Sequence, residues 1–266
     1  IFFLALITGN LSKRRRLAIL ALEFSAFAWL WGSFNFNLYK EHVDTTFAWY
    51  MVRIGKTTDY FFSNFIIFAF GLYLKDLFAN EAGEKKRIIR LLISDIAVFV
   101  GLALIIVSLF TGFYFYFDEN SVYRHGPGRP LFYVVSIISL GIQLSCIINY
   151  YKRISRGIRI PVLLFGVLPF VAPLLQFFVK GISLASMSAV GMAVVLYIFT
   201  IEEMNKAVER AHKLEVEMYE RYKKELEETV ELRTHELSEA NEKANKLLLN
   251  ILPQPVAKEL TENPGK

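Results

Sequence analysis

Cysteine is almost absent from this chain of 266 residues, which contains a single one, Cys146. One cysteine cannot build a disulfide framework or a thiolate metal cluster, so thiol redox chemistry and cysteine-based metal sites are excluded. An initial methionine is also lacking, because the sequence begins at Ile1 and ends in the turn-forming residues 263–266. We therefore expect this chain to be a piece of a longer protein.

Charged residues are scarce relative to apolar ones, at 21% of the chain against 54% hydrophobic residues. The apolar residues fall in blocks of about 20, the length of helix that crosses a hydrocarbon layer roughly 30 Å thick. A soluble core of this size would not bury so much apolar surface, so lipid is the expected solvent. The net charge of +5 comes mainly from short loops between the blocks, so nucleic-acid binding is not expected.

The hydropathy pattern predicts an all-α fold, in which a polytopic bundle of seven transmembrane helices continues into a long parallel dimeric coiled coil. We expect a transmembrane sensor domain over residues 1–201, a cytoplasmic signalling coiled coil over 202–252 and a short connecting segment over 253–266. The first span is truncated. The predicted spans are about 1–7, 17–38, 60–80, 91–117, 131–151, 161–179 and 183–201.

Basic residues concentrate in three loops that alternate along the chain with loops poorer in lysine and arginine. Lysine and arginine are retained in the cytoplasmic loops of membrane proteins, so these three loops predict a cytoplasmic C-terminus and an N-terminus outside. The expected location is the cell (inner) membrane, as a multi-pass protein. The basic residues are Lys13, Arg14, Arg15 and Arg16; Lys85, Lys86, Arg87 and Arg90; and Lys152, Arg153, Arg156 and Arg159.

Four ionisable residues, Glu23, Lys75, Asp76 and Asp95, lie inside apolar blocks at a similar predicted depth. A charged group within a membrane is costly and normally has a partner. We expect an intramembrane polar cluster in which Lys75 pairs with Glu23 or with Asp95. In the alternative interpretation, Lys75 extends its ammonium group to the interface, and Asp76 and Asp95 contact interfacial water.

Aromatic residues lie near the predicted outer ends of the spans. Trp29, Trp31, Phe113 and Tyr116 would suit the wall of a ligand pocket that opens to the outside. An aromatic belt at the membrane interface explains the same residues. His125 has no neighbouring spacing of cysteines or carboxylates that indicates a metal, so we interpret it as a loop histidine.

Beyond Thr200 the composition turns from apolar to charged without a glycine or proline, so the last membrane helix should continue into the cytoplasm. Apolar residues then recur at alternating steps of 4 and 3, which predicts a coiled-coil seam in a parallel homodimer. The phase of this pattern slips by one residue near Tyr222. The alternative is a single solvated helix held by i,i+4 charge pairs. The predicted seam consists of Leu226, Val230, Arg233, Leu237, Ala240, Ala244, Leu247 and Ile251.

The sequence from Ala244 to Leu260 contains the run Leu-Leu-Leu-Asn-Ile-Leu-Pro followed by Val-Ala-Lys-Glu-Leu. This segment resembles the element that precedes the catalytic domain of class III adenylate and guanylate cyclases. Pro253 and Pro255 must end the preceding helix, which agrees with the resemblance. The predicted spans look, more weakly, like the seven-helix sensor regions that bacteria join to cyclases, diguanylate cyclases and histidine kinases.

The resemblance implies that the parent chain is a membrane-bound bacterial cyclase whose catalytic homodimer uses ATP or GTP with magnesium or manganese. The catalytic, cofactor-binding and metal-binding residues of that family would follow Lys266, so none is expected in this piece. The expected function is that of a membrane receptor that controls cyclic nucleotide synthesis, with cAMP as the expected product, through a dimeric coiled coil. The expected partners are a second copy of the chain, membrane lipid and an unidentified extracellular or membrane ligand.

Two alternatives stay open on the sequence alone. In the first, the output domain is a diguanylate cyclase or a histidine kinase. For the kinase, His235-Glu236-Leu237 matches part of a phosphoacceptor box, although Ser238 follows where that family has arginine. The other alternative is a small transporter or channel with an oligomerising tail. The sequence shows no inverted repeat of the kind that many transporters contain.

Overall fold

A computed structural model of the chain describes residues 12–41, 45–81, 88–118, 122–176 and 183–251. The predicted partial span over 1–7 lies outside these residues, as do Pro253, Pro255 and the rest of the segment 253–266. Within α-helices the side chains of Pro169, Phe170, Pro173, Leu174, Gln176, Leu249 and Ile251 are also outside the description.

The described residues form six α-helices, joined by short connections and one β-hairpin. The side chain of Ser12 caps the first helix by accepting a hydrogen bond from the Arg15 amide (3.1 Å), and Thr45 caps the second by accepting from the Ala48 amide (3.2 Å). The helices are α1 (Lys13–Tyr39), α2 (Thr46–Asn80), α3 (Ile89–Thr111), α4 (Arg129–Tyr150), α5 (Arg156–Gln176) and α6 (Leu184–Ile251), with a 3-10 turn at Tyr151–Arg153.

Five helical segments in the described part of the chain are long and apolar enough to cross a membrane. The chain is therefore an α-helical protein with the character of a membrane protein. The five segments are Lys13–Tyr39, Thr46–Asn80, Ile89–Thr111, Arg129–Arg153 and Leu184–Leu248.

The predicted spans 17–38 and 60–80 left residues 39–59 as a loop, but α2 begins at Thr46, so most of that segment is helical. Lys56 and Asp59 belong to this helix and pair with each other about one helical turn apart. The predicted fourth span, 91–117, also ends earlier, at Thr111 rather than at residue 117. Gly112 ends it by adopting a left-handed conformation (φ 68°), and its amide donates to the Ser108 carbonyl (2.9 Å).

The segment after Gly112 forms a two-stranded antiparallel hairpin, which the all-α prediction did not include. Strand β1 (Phe115–Phe117) pairs with β2 (Tyr123–His125), with Tyr116 opposite Arg124. The hairpin closes onto the start of α4 through the Gly128 amide, which donates to the Phe113 carbonyl (2.8 Å). A Cβ atom on Gly128 would overlap the Phe113 ring, so this close approach requires glycine.

The chain divides into two compact units, with the boundary between Asn205 and Lys206 inside α6. The N-terminal unit contains one apolar core, whose largest fully buried side chains include Tyr73, Phe70 and Phe78 of α2. Helices α1 and α2 approach closely at Gly32 and Gly55, where an added Cβ would lie within 3 Å of the opposite backbone. In the second unit, the described side chains of α6 are exposed.

Candidate functional site

The N-terminal unit contains a cavity of about 550 Å³ at the end of the bundle that carries the hairpin, which we call the hairpin end. This volume is in the range of sites that bind small organic molecules. Its walls come from α1, α2, β2, α4, α5 and α6. The cavity therefore brings together side chains from Trp29 to Met192, which lie far apart in the sequence.

An ion pair lies in the polar wall of the cavity. Lys56 Nζ is 2.7 Å from Asp59 Oδ2, and the Trp29 indole donates a hydrogen bond to the other carboxylate oxygen, Asp59 Oδ1 (2.9 Å). Both side chains of the ion pair are largely buried. Each oxygen of Asp59 thus has a donor within the protein, so the carboxylate is satisfied without a ligand.

Aromatic rings surround the Lys56 ammonium group. Its Nζ lies 4.5 Å from the ring centroid of Phe36, 5.0 Å from that of Tyr60 and 5.1 Å from that of Tyr123. These distances are those of cation–π interactions. The protein therefore fills this aromatic cage with a cation of its own.

A second cation, Arg129, stands at the cavity wall where α4 begins. Its Nη2 donates to the Tyr133 hydroxyl (3.2 Å), and its guanidinium lies 5.5 Å from the centroid of the same ring. Among the residues that the structure describes, no carboxylate lies within ion-pair distance of Arg129. Unlike Lys56, Arg129 thus has no neutralising partner in this part of the protein.

His125 lies beside these cations, and its Nδ1 is 3.1 Å from the Tyr123 hydroxyl. That hydroxyl also hydrogen-bonds the Tyr60 hydroxyl (3.0 Å). Partial burial, with the positive charges of Arg129 and Lys56, lowers the pKa of His125 below its ordinary value. The lowered pKa favours the neutral imidazole, which does not add to the positive charge of the wall.

Helix α6 contributes small side chains and Met192 to the cavity wall. The neighbouring α5 wall is apolar and consists of Phe165 and Leu168. A molecule that occupied the cavity would touch α6 directly. The α6 residues in this wall are Ala185, Ser188, Ala189 and Met192, and Ser183 just precedes the helix.

Of the four aromatic residues expected around an outer pocket, the structure brings only Trp29 to the cavity. Trp31 and Tyr116 are exposed, by 39% and 45%, and Phe113 packs beneath Gly128 and against the Tyr114 ring. The polar side chains of the cavity wall were missed by sequence reasoning. The i,i+3 spacing of Lys56 and Asp59 was the available signal, but the same two polar residues also fit a loop.

A network of ion pairs lies at the opposite end of the bundle, where α1 begins. Arg15 is 4% exposed, and its Nε is 2.7 Å from Asp76 Oδ2 while its Nη1 is 3.4 Å from Glu81 Oε1. Glu81 also accepts a hydrogen bond from the Ser155 amide (3.1 Å), and Asp76 accepts one from the Ser12 hydroxyl (3.2 Å). This network joins α1 and α2 to the connection that precedes α5.

Helix α6 is attached to the rest of the unit near the same end. The hydroxyls of Tyr73 and Thr200 are 2.8 Å apart in a fully buried hydrogen bond, and Arg15 Nη1 lies 3.9 Å from the Met204 sulfur. Helix α6 therefore lines the cavity at one end of the bundle and contacts buried polar groups at the other.

Within the predicted intramembrane cluster, the structure brings Lys75 and Asp95 together as an ion pair between α2 and α3. Glu23 is not part of it, and neither of its buried carboxylate oxygens has a hydrogen-bond partner among the described residues. Next to this pair, Gln143 Nε2 donates to the Ile67 carbonyl (2.8 Å) and to Ser94 Oγ (3.2 Å). A polar layer thus links α2, α3 and α4.

The predicted seam lies on α6 in the second unit, where its apolar members are exposed; Leu237, for example, is 72% exposed. Arg233 makes an ion pair with Glu236 on the same helix (2.9 Å). The exposed apolar seam residues are Leu226, Val230, Leu237 and Leu247, accompanied by exposed Ala240 and Ala244, and Ile251 is the last residue of the helix.

No group of three histidine, cysteine, aspartate or glutamate side chains that could hold a metal ion occurs among the residues described by the structure. Comparison of the whole chain with protein-family models, with curated proteins and with solved structures finds no match. The functional interpretation therefore depends on the geometry of the cavity and of α6.

Proposed function

We propose that this chain is the receptor and regulatory region of a membrane-bound class III nucleotidyl cyclase. In this proposal it has seven spans, its hairpin end faces outward and its basic loops face the cytoplasm. It controls the synthesis of cAMP, or of another cyclic nucleotide, by a catalytic domain that follows residue 266. The resemblance of residues 244–260 to the element that precedes cyclase catalytic domains supports the choice of output.

The continuity of α6 is the observation that carries this proposal. One helix, Leu184–Ile251, lines the cavity at Ser188 and Met192, is held at Thr200 by Tyr73, and continues without a break to the cyclase-like segment. A ligand that moves or rotates this helix at the cavity therefore acts on the same continuous helix that enters the second unit.

A second copy of the chain is the proposed partner of the exposed part of α6. The seam residues recur with heptad spacing and, apart from Arg233, are apolar; those whose side chains are described are exposed in the single chain, which is the arrangement that a parallel coiled coil buries. Arg233 at a core position would lower the stability of the dimer and help to set its register. A dimer of moderate stability can change between two arrangements, as a regulator requires.

Disulfide cross-linking tests the dimer. In a Cys146→Ala background, we expect Ala240→Cys on the seam to cross-link two copies rapidly in native membranes. Glu242→Cys, on the opposite face of the same helix turn, is the matched control and should cross-link slowly. Equal and slow cross-linking at both positions would reject the proposed seam.

A phase insertion tests the regulatory role. The chain is joined through residue 266 to a class III cyclase catalytic domain, and cyclic nucleotide production is measured in membranes. One residue inserted after Tyr222 rotates the following helix by about 100° and should change the basal output. Seven inserted residues, two full turns of a coiled coil, should largely restore the output. Output that is indifferent to both insertions would reject this function.

A further inference from the structure

Resting on the proposed receptor function, we infer that the cavity binds a small amphiphilic monoanion, whose carboxylate or phosphate head pairs with Arg129 and whose apolar body lies against α5 and α6. The charge balance of the wall and the distribution of its apolar side chains favour this class of ligand.

The charge balance of the described wall favours an anion. Lys56 and Asp59 neutralise each other at 2.7 Å, which leaves Arg129 as an unbalanced positive charge. A half-buried guanidinium without a carboxylate partner gains most from an anionic ligand, since charge-assisted hydrogen bonds are the strong ones. The planar guanidinium can also hold both oxygens of a carboxylate or two oxygens of a phosphate.

The same wall disfavours a cationic ligand. The aromatic cage of Phe36, Tyr60 and Tyr123 is the feature that would attract an ammonium group, but the Lys56 ammonium already occupies it. The carboxylate of Asp59 would be the natural counter-ion, but Lys56 and Trp29 occupy both of its oxygens. A cationic ligand would have to displace these contacts before making its own.

Apart from small polar side chains such as Ser136 and Ser188, much of the remaining wall is apolar and favours a ligand with a hydrocarbon or aromatic body. Phe132 and Leu140 of α4 face the cavity together with Phe165 and Leu168 of α5 and Met192 of α6. Burial of apolar surface against these side chains stabilises the complex roughly in proportion to the area covered. Contact with Met192 would place the tail of the ligand on the helix that leaves the bundle.

Two sources can supply this chemistry. A fatty acid would enter from the bilayer, whereas an aromatic acid would enter from water. Octanoate and 3-phenylpropionate are suitable probes of the two sources, and binding of either one supports the inference. The affinities of both probes are measured in lipid nanodiscs and in detergent, and the ratio of octanoate affinity to 3-phenylpropionate affinity in each environment identifies the source.

Trp29 provides a direct optical probe, because its indole lines the cavity. The chain contains three tryptophans, so the variant Trp31→Phe/Trp49→Phe leaves Trp29 as the single reporter. The full chain in nanodiscs is titrated with octanoate, octanol and octylamine, which share a tail and differ in head-group charge. We expect saturable changes in Trp29 emission with octanoate, at least about tenfold weaker binding of octanol, and no saturable binding of octylamine.

Arg129→Met should weaken octanoate binding at least about tenfold, while leaving octanol binding unchanged. Arg124→Met is the matched control, since Arg124 belongs to the same hairpin region but pairs with Asp118 (3.0 Å) away from the cavity wall. If Arg129→Met does not fold, Ala189→Leu provides the second variant, because the larger side chain fills part of the cavity and should weaken both probes.

Equal affinities for octanoate and octanol, or octanoate binding that is insensitive to both Arg129→Met and Ala189→Leu, would overturn the inference. The receptor function is tested separately by the phase insertions, which need no ligand. If the output responds to the phase insertions but the anion does not bind, only the ligand class is rejected. If the anion binds but the output does not respond to the phase insertions, only the proposed function is rejected.

Discussion

The hydroxyl of Tyr73 on α2 lies 2.8 Å from that of Thr200 on α6, within the buried core of the N-terminal unit. Thr200 also donates to the Leu196 carbonyl (2.7 Å), so its oxygen is free to accept from Tyr73. This side-chain hydrogen bond attaches α6 to α2 at Thr200, where the sequence of α6 changes from apolar to charged residues.

Tyr73→Phe should therefore lower the stability of the folded protein by about 1 kcal/mol, the usual contribution of one hydrogen bond. Thr200 keeps its bond to Leu196, so the variant removes one interaction and leaves no new unpaired donor. Tyr219→Phe, at an exposed tyrosine of the second unit, is the control. Thermal unfolding in detergent measures both, and equal midpoints for the two variants would contradict the prediction.

Gly55→Ala should separate α1 from α2. A Cβ atom there would lie 2.9 Å from the Gly32 carbonyl oxygen and 2.9 Å from the Phe36 amide, both of which are backbone atoms that cannot turn aside. We expect a loss of about 1–3 kcal/mol, as for overpacked cores. Gly141→Ala is the matched control, because no heavy atom lies within 4 Å of the position that its methyl group would take. A smaller effect at Gly55 than at Gly141 would refute the proposed helix contact.

Lys75 and Asp95 should be energetically coupled. A double-mutant cycle with Lys75→Met and Asp95→Asn is expected to give a coupling energy of about 1 kcal/mol, because Asp95 is nearly buried while Lys75 is only partly so. The exposed pair Lys223 and Glu227, 3.8 Å apart on α6, provides the control cycle. Exposed pairs contribute little, so that cycle should give a much smaller value. Strictly additive effects at Lys75 and Asp95 would show that the pair is not formed.

Lys56→Met and Arg129→Met should each raise the pKa of His125. Both cations oppose protonation of the imidazole, so removal of either favours the charged form, and the increase should be larger for Arg129. Titration of the imidazole resonances by NMR, with the His125 signal assigned by its loss in His125→Gln, measures the change. A titration midpoint that falls in either variant would contradict the arrangement of these charges.

Helical structure and its approximate limits were accessible from the sequence, because apolar blocks and charged interruptions are local signals. The predicted spans over 17–38 and 131–151 agree to within a few residues with α1 and α4. The hairpin and the early start of α2 were not predicted. Both involve tertiary contacts, namely the closure of Gly128 over Phe113 and the close approach of Gly55 in the early part of α2 to Gly32 of α1.

The sequence by itself determined that the chain consists of apolar helices and that its last helix carries an apolar heptad pattern, because both follow from residue spacing along one segment. Only the tertiary structure decided that Trp29, Lys56, Arg129 and Met192 share one cavity and that Lys75 meets Asp95 while Glu23 stands apart. These side chains come from different helices. Their proximity depends on how the helices are rotated and staggered against each other, which no local pattern specifies.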